Sequence, residues 1–135
     1  MRNLKINKQR LNRLCQKYHI QLLILHGSFA QGHPRDQSDI DIGILGRKKF
    51  DLKTQLNMIN EFSEVFGSQF DPVFLNGAEP LITYQVAVNG KALYEEKKGN
   101  FQRFRIQAVA RYMDSKKFRQ MEKLYIKKAL GKIQP

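Results

Sequence analysis

Residues 20–45 read IQLLILHGSFAQGHPRDQSDIDIGIL. The first part, Ile20 to His26, is a short apolar run stopped by Gly27 and Ser28, and its length and flanks predict a buried strand. From Asp39 to Leu45 the pattern changes to alternation: Asp39, Asp41 and Gly43 interleave with Ile40, Ile42 and Ile44. A period of two sends the two sets to opposite faces of a strand, so both carboxylates share one face. Between them, the loop from Gly27 to Ser38 carries Gly27, Gly32 and Pro34.

Working outward, residues 4–18 place Leu4, Leu11, Leu14 and Tyr18 at helical spacing among basic and amide side chains, which predicts an amphipathic helix covering the sheet. Residues 51–66 return to that spacing with Leu52, Leu56, Ile59, Phe62, Val65 and Phe66, and Gly67 stands where a C-terminal cap belongs. A third strand is expected over Phe70 to Leu75, a short helix over Pro80 to Val88 ending at Asn89-Gly90, and an extended piece over Lys91 to Tyr94. A long helical pattern runs from Phe101 to about Leu130, with Asp114-Ser115 as a candidate break because Ser115 could cap a second helix. This order implies an α+β fold, a mixed α/β sheet with helices packed on it. The connection through residues 51–66 has the length of a parallel βαβ crossover. Residues 1–96 form the expected catalytic portion with its N-terminal helix, and residues 97–135 a basic helical extension packed as part of the same domain.

The chain has 135 residues, 41% hydrophobic and 27% charged, which fits one globular domain and excludes a multi-domain machine. It contains no apolar run long enough to span a bilayer, and no apolar segment of signal-peptide type follows Met1-Arg2-Asn3-Leu4-Lys5. The single cysteine, Cys15, cannot form an internal disulfide and fits a reducing compartment, so the expected location is the cytoplasm. The net charge of +12 is unevenly spread: residues 1–19 carry +6, residues 20–90 carry −3 and residues 91–135 carry +9. Basic ends around an acidic centre suit a polyanionic partner such as nucleic acid, a nucleotide phosphate or an acidic protein surface, and equally suit solvated helix faces.

Three carboxylates interrupt otherwise apolar strands: Asp39, Asp41 and Asp71. Carboxylates at i and i+2 of a strand lie roughly 7 Å apart at the backbone, and each raises the other's proton affinity unless a cation intervenes. Hard oxygen donors of this kind favour Mg²⁺ or Mn²⁺, bound by one or two carboxylates together with substrate phosphates. Asp71, opening the next strand, either completes the site or acts as general base on an attacking hydroxyl. Gly27-Ser28 ends the buried strand, and a glycine there lets backbone amides approach a phosphate while the serine hydroxyl donates a further bond. A phosphate cradle beside a metal site points to nucleotidyl or phosphoryl transfer. His26 reads as a packed residue at the strand end, His19 and His33 as surface residues, and Cys15 as an inert thiol. Phe104, Tyr112, Phe118 and Tyr125 read as core or partner-docking anchors.

Gly27-Ser28, ten residues, then Asp39-Ile40-Asp41 resembles the GSx10DxD signature of the polymerase β-like nucleotidyltransferases. The segments FDPVFLN and LITYQVAVNGKALYEE are similar to the minimal nucleotidyltransferase group, small prokaryotic proteins often encoded beside HEPN-domain partners as toxin–antitoxin pairs. The resemblance covers residues 18–96, and the tail FRIQAVARYMDSKKFRQ is more loosely similar to the C-terminal helix of the antitoxin members. It implies a palm-type mixed sheet with a C-terminal helical extension, MgATP as donor, and transfer of AMP to a tyrosine of a HEPN ribonuclease toxin, as in type VII systems. By the same resemblance Gly27 and Ser28 hold the triphosphate, Asp39 and Asp41 bind Mg²⁺, and Asp71 is the third acid that assists deprotonation of the acceptor. Two positions depart from the pattern. Gln31 stands where many relatives carry a basic residue, so that phosphate contact is either missing or supplied by Arg35, Lys48 or Lys49. Pro72 follows the third acid, and since proline cannot donate a ladder hydrogen bond, its strand must be an edge or bulged there.

The basic ends support a different class of function, a non-catalytic antitoxin or nucleic-acid-binding module that neutralises its partner by contact. Transfer to a small molecule such as an aminoglycoside is a third reading, disfavoured because the chain lacks the additional domain with which larger relatives enclose that acceptor.

Overall fold

A computed structural model describes residues 5–32 and 39–133. The elements run α1 (Lys8–Lys17), β1 (Ile20–His26), β2 (Ile40–Gly46), α2 (Leu52–Phe66), β3 (Phe70–Phe74), α3 (Pro80–Asn89), β4 (Lys91–Glu95) and α4 (Asn100–Ile133). The strands form one sheet in the order β3-β2-β1-β4; β1 is antiparallel to both β2 and β4, and β2 and β3 are parallel. The parallel crossover expected through residues 51–66 is therefore present, and the fold is the mixed sheet with packed helices that the sequence implies.

β1 is apolar from Leu22 to Leu25 because it is central and covered on both faces. Leu23 and Leu25, with Ile40, Ile42 and Ile44 of β2, meet Leu11 and Cys15 of α1 and Met58, Phe62 and Phe66 of α2. Leu22 and Ile24 face the other way, onto Leu75, Val86 and Ala87 and onto Phe104 and Ala108 of α4. A register shift between Ile20 and Leu22 turns Ile20 back to the α1/α2 side, where it is fully buried. Gly43 permits close packing of the second layer: a Cβ there would lie 3.0 Å from Leu75 Cδ1 and 3.1 Å from Val86 Cγ1.

The helix starts follow capping chemistry. The Asn7 side chain accepts from the Arg10 amide at 3.2 Å, and Asp51 accepts from the Thr54 amide at 2.8 Å. The first helix thus begins at Lys8, later than the hydrophobic spacing implies. Gly67, at φ 91°, closes α2 by donating to the Ser63 carbonyl. The end of β2 is clipped to the loop after β3 by Asn76, whose side chain accepts from the Gly46 amide and donates to the Gly46 carbonyl, each at 2.9 Å.

Pro72 sits in an edge strand opposite Ile42. The Ile40 amide donates to the Gln69 carbonyl and the Leu75 amide to the Ile44 carbonyl. In a parallel ladder this alternation uses the odd-numbered residues of β3, so the Pro72 nitrogen faces the free edge and no bond is lost. The candidate break at Asp114-Ser115 is overturned, because α4 is a continuous helix of 34 residues, about 50 Å long. Asp and Ser cost only tenths of a kcal/mol each inside a helix, and without proline nothing stops its propagation. Its first part packs on α3 through Phe104 and Ala108 and through a Tyr84–Tyr112 stack at 4.2 Å; residues 116–131 are exposed throughout. No described helix is long and apolar enough to cross a membrane.

Candidate active site

His26, Asp41 and Asp71 form a row across the sheet. His26 is the register partner of Asp41 on β1, and Asp71 is its partner on β3. Side chains of directly paired residues lie on the same face. That face is the one α3 and α4 cover, and the row lies at the end of the strands where β1 leaves and β2 enters. Asp39 stands two residues before Asp41, exposed at the threshold of β2.

Gly27 fixes the approach to Asp41. Its φ of +71° is a left-handed conformation that glycine adopts without penalty, and a Cβ there would overlap the Asp41 carboxylate. Beyond it the chain makes a tight turn, with the Gln31 amide donating to the Gly27 carbonyl at 3.2 Å and the Gly32 amide to the Phe29 carbonyl at 3.4 Å. Ala30 is buried and Phe29 partly so, both against the α1/α2 layer, which anchors the turn and leaves Ser28 half-buried beside the acids. His33 and Arg35 lie outside the described residues.

The electrostatics of the row are those of crowded acid. Burial first, then hydrogen bonding of the protonated Asp41 to Asp71 and the charge of Asp71, then the charge of Asp39, push the Asp41 carboxyl up to about 6. A hydrogen bond between two carboxyls requires that one carry a proton. His26 is shifted down by burial, against the opposing pull of Asp71, and its buried Nε2 has no hydrogen-bond partner among the described residues. Among the described residues no three acidic, imidazole or thiol groups close on one point, so the tight unit is Asp41 with Asp71, and Asp39 acts on it from the rim. Two neighbouring carboxyl groups, one of them raised by burial and by the other, fit a hard divalent cation, which would offset their repulsion.

The structure thus brings Gly27, Asp41 and Asp71 together, with Ser28 and Asp39 at the margin. It does not bring Lys48 or Lys49 there. Both follow the far end of β2, and from Asp41 to Gly46 that strand runs roughly 17 Å away from the acids, so neither substitutes for a basic residue at Gln31. From sequence, His26 reads as a packed or hydrogen-bonded residue at the strand end rather than a catalyst. Its place beside Asp41 depends on the β1–β2 register, for which the only sequence signal is its position just before Gly27.

Comparison with known proteins places this arrangement. The family described as polymerase beta, nucleotidyltransferase matches residues 9–99. A protein adenylyltransferase MntA from Aphanizomenon flos-aquae is 30% identical over 109 residues, 73% of each chain. The protein adenylyltransferase MntA of Shewanella oneidensis is 32% identical over 75 residues, 56% of this chain and 54% of its own. Among solved structures, a toxin–antitoxin with AMP-PNP superposes with a TM-score of 0.74 at 24% identity, covering 90% of this chain and 98% of the other. A complex of tri-AMPylated Shewanella oneidensis HEPN toxin with MNT antitoxin gives 0.67 at 21% identity, covering 88% and 94%. At those identities the two structures bear on the fold. With that family matching residues 9–99 and a relative 30% identical across 73% of the chain, the protein belongs to the polymerase beta nucleotidyltransferase family.

Proposed function

We propose that the protein transfers AMP from ATP to a tyrosine of a HEPN ribonuclease toxin and is thereby its antitoxin. The observation that carries this reading is the Asp41–Asp71 pair held against Gly27. The MntA relatives, named protein adenylyltransferases, and the structural likeness to antitoxins crystallised with AMP-PNP or an AMPylated HEPN toxin support it.

In this reading the Gly27-Ser28 turn receives the triphosphate of ATP through backbone amides and the serine hydroxyl. Asp39, Asp41 and Asp71 would hold Mg²⁺ or Mn²⁺, which when bound neutralises phosphate charge and polarises the α-phosphorus. Asp71 takes the proton of the acceptor tyrosine. The tyrosine oxygen forms a bond to the α-phosphorus, the bond from that phosphorus to the bridging oxygen breaks, and pyrophosphate leaves.

A second reading, neutralisation by contact, draws on the exposed half of α4. Phe118, Met121 and Tyr125, exposed by 68, 69 and 75%, stand at helical spacing among basic residues and fit a protein surface. Incubation with α-labelled ATP, Mg²⁺ and the product of the neighbouring gene, tested as a HEPN toxin, separates the two. Label on a toxin tyrosine, lost in Asp39→Asn plus Asp41→Asn together with the loss of RNase silencing, supports transfer. Undiminished label in that variant, or silencing that persists without label, overturns it.

A further inference from the structure

The sheet end opposite the acids is built around Arg47. Its amide donates to the His19 carbonyl at 3.3 Å, and beside it the Glu96 amide donates to the Gln21 carbonyl at 3.0 Å. The Arg47 guanidinium pairs with Glu96 at 2.6 Å. Cavities open on both sides of this arginine, and Arg47 lines each of them. One, of about 620 Å³, carries Lys97 and Arg103 over a floor that includes Phe104, with the amides of Gln21 and Asn100. The other, of about 470 Å³, carries Lys17, His19, Lys48 and Lys49 beside the half-buried rings of Tyr18 and Phe50.

The charges do not cancel. Glu96 is the carboxylate of the first cavity, and Arg47 already engages it, with Lys97 and His19 adding to the field that holds it below the usual range. Asp51 is the carboxylate of the second, and it is occupied capping Thr54. Lys17 is paired with Glu61 at 2.6 Å. Lys48, Lys49, Lys97 and Arg103 take part in no ion pair among the described residues. Asn100, 5% exposed, is held by the Lys97 amide, which donates to its Oδ1 at 2.6 Å, so the wall of the first cavity is rigid.

We propose that the two cavities form one track for single-stranded nucleic acid, with a base against the half-buried Tyr18 and Phe50 rings of the second cavity and the backbone running over Arg47 to Lys97 and Arg103 of the first. Unpaired cations around concave pockets, one of them edged by aromatic rings, are what a single strand requires: the cations follow the backbone and the rings take a base face. A duplex keeps its bases stacked and paired and cannot turn one onto those rings. An acidic peptide would satisfy the cations but has no use for two pockets with aromatic and amide walls. The track is roughly 17 Å along β2 from Asp41, so it stands independently of the transfer chemistry.

Fluorescence anisotropy of the full chain with labelled 12-residue oligouridylate and oligothymidylate tests this. Wild type should bind one or both, with affinity falling steeply as salt rises, and a hairpin duplex or polyglutamate of equal charge should compete poorly. Lys48→Glu and Arg103→Glu, one in each cavity, should each weaken binding about tenfold and lower the salt slope by about one. Their thermal unfolding should match wild type, and Asp41→Asn should bind as wild type does. Absence of binding by the wild type overturns the proposal, as does a loss confined to one cavity. So does equal competition by polyglutamate or duplex, or a loss seen only in a Lys123→Glu plus Lys127→Glu control on the exposed half of α4.

Discussion

Asp41 and Asp71 are register partners on the parallel strands β2 and β3, side by side on one face of the sheet, where Asp71 helps to raise the Asp41 carboxyl. The pair has a pH signature. Asp41 is raised from 3.8 to about 6, so the folded state binds its proton more tightly than the unfolded chain does. The stability this contributes is complete below about pH 3.8 and is lost as pH rises through 6. At pH 7.5 without divalent metal, Asp41→Asn should therefore be more stable than wild type. The carboxyl is only partly shielded from solvent, so the full shift is screened and the difference is about 1 kcal/mol, or about 4 °C in melting temperature. The difference should vanish at pH 3.5, and Mg²⁺ should raise the wild-type midpoint but not that of the variant. A wild-type midpoint at pH 7.5 in EDTA equal to or above that of the variant contradicts the raised Asp41 carboxyl.

Gly27→Ala should damage the site beyond its cost to the fold. At φ +71° an alanine bears strain of about 1–2 kcal/mol, and its Cβ meets the Asp41 carboxylate. The sheet has a core layer on each face, and the chain should still fold, with melting lowered by several degrees. Transfer activity should fall at least about 100-fold, since the displaced carboxylate is one of those proposed to hold the metal. Activity within a few-fold of wild type would mean that Asp41 need not lie against this turn.

How much of this was legible in the sequence depends on how local each signal is. The period-two run from Asp39 puts two acids on one face by backbone geometry alone, and Pro72 announces an edge strand because it lacks a donor. His26 beside Asp41 was not legible, because the connection after Gly27 leaves the β1–β2 register free. Nor was the track around Arg47, whose cations come from the ends of α1, β2 and β4 and from α4 and meet only after the sheet is assembled. The continuity of α4 was misread for the opposite reason: Ser115 carries a real capping preference, but a local preference of tenths of a kcal/mol loses to an intact hydrogen-bond ladder.

The two halves of α4 should respond oppositely to the same substitution. Phe104 is buried against Leu22 and Ile24, and its replacement by alanine should cost about 3–5 kcal/mol. Phe118 lies on the exposed half, and Phe118→Ala should change stability by less than about 0.5 kcal/mol. If this half docks the toxin, Phe118→Ala or Tyr125→Ala should weaken the complex by at least about tenfold, read by titration calorimetry with the isolated partner. Unchanged affinity in both would place the docking surface elsewhere.

Cys15 gives a readout of the α1 layer that is independent of the site. It is 1% exposed between α1 and the sheet, and burial pushes its thiol up to about 12. At pH 8 a thiol so shifted is thiolate in only about one part in ten thousand, and the thiolate is the reactive form. The folded protein should therefore resist a disulfide reagent at pH 8 for hours, while the chain in 6 M guanidinium chloride reacts within seconds. The native rate should follow the opening of α1: Leu11→Ala, which removes a buried neighbour in the same layer, should accelerate labelling by one to two orders of magnitude. Rapid labelling of the wild type would mean that α1 does not stay packed over β1. The buried layer that fixes the Gly27 turn through Ala30 would then be open on the side away from the acids.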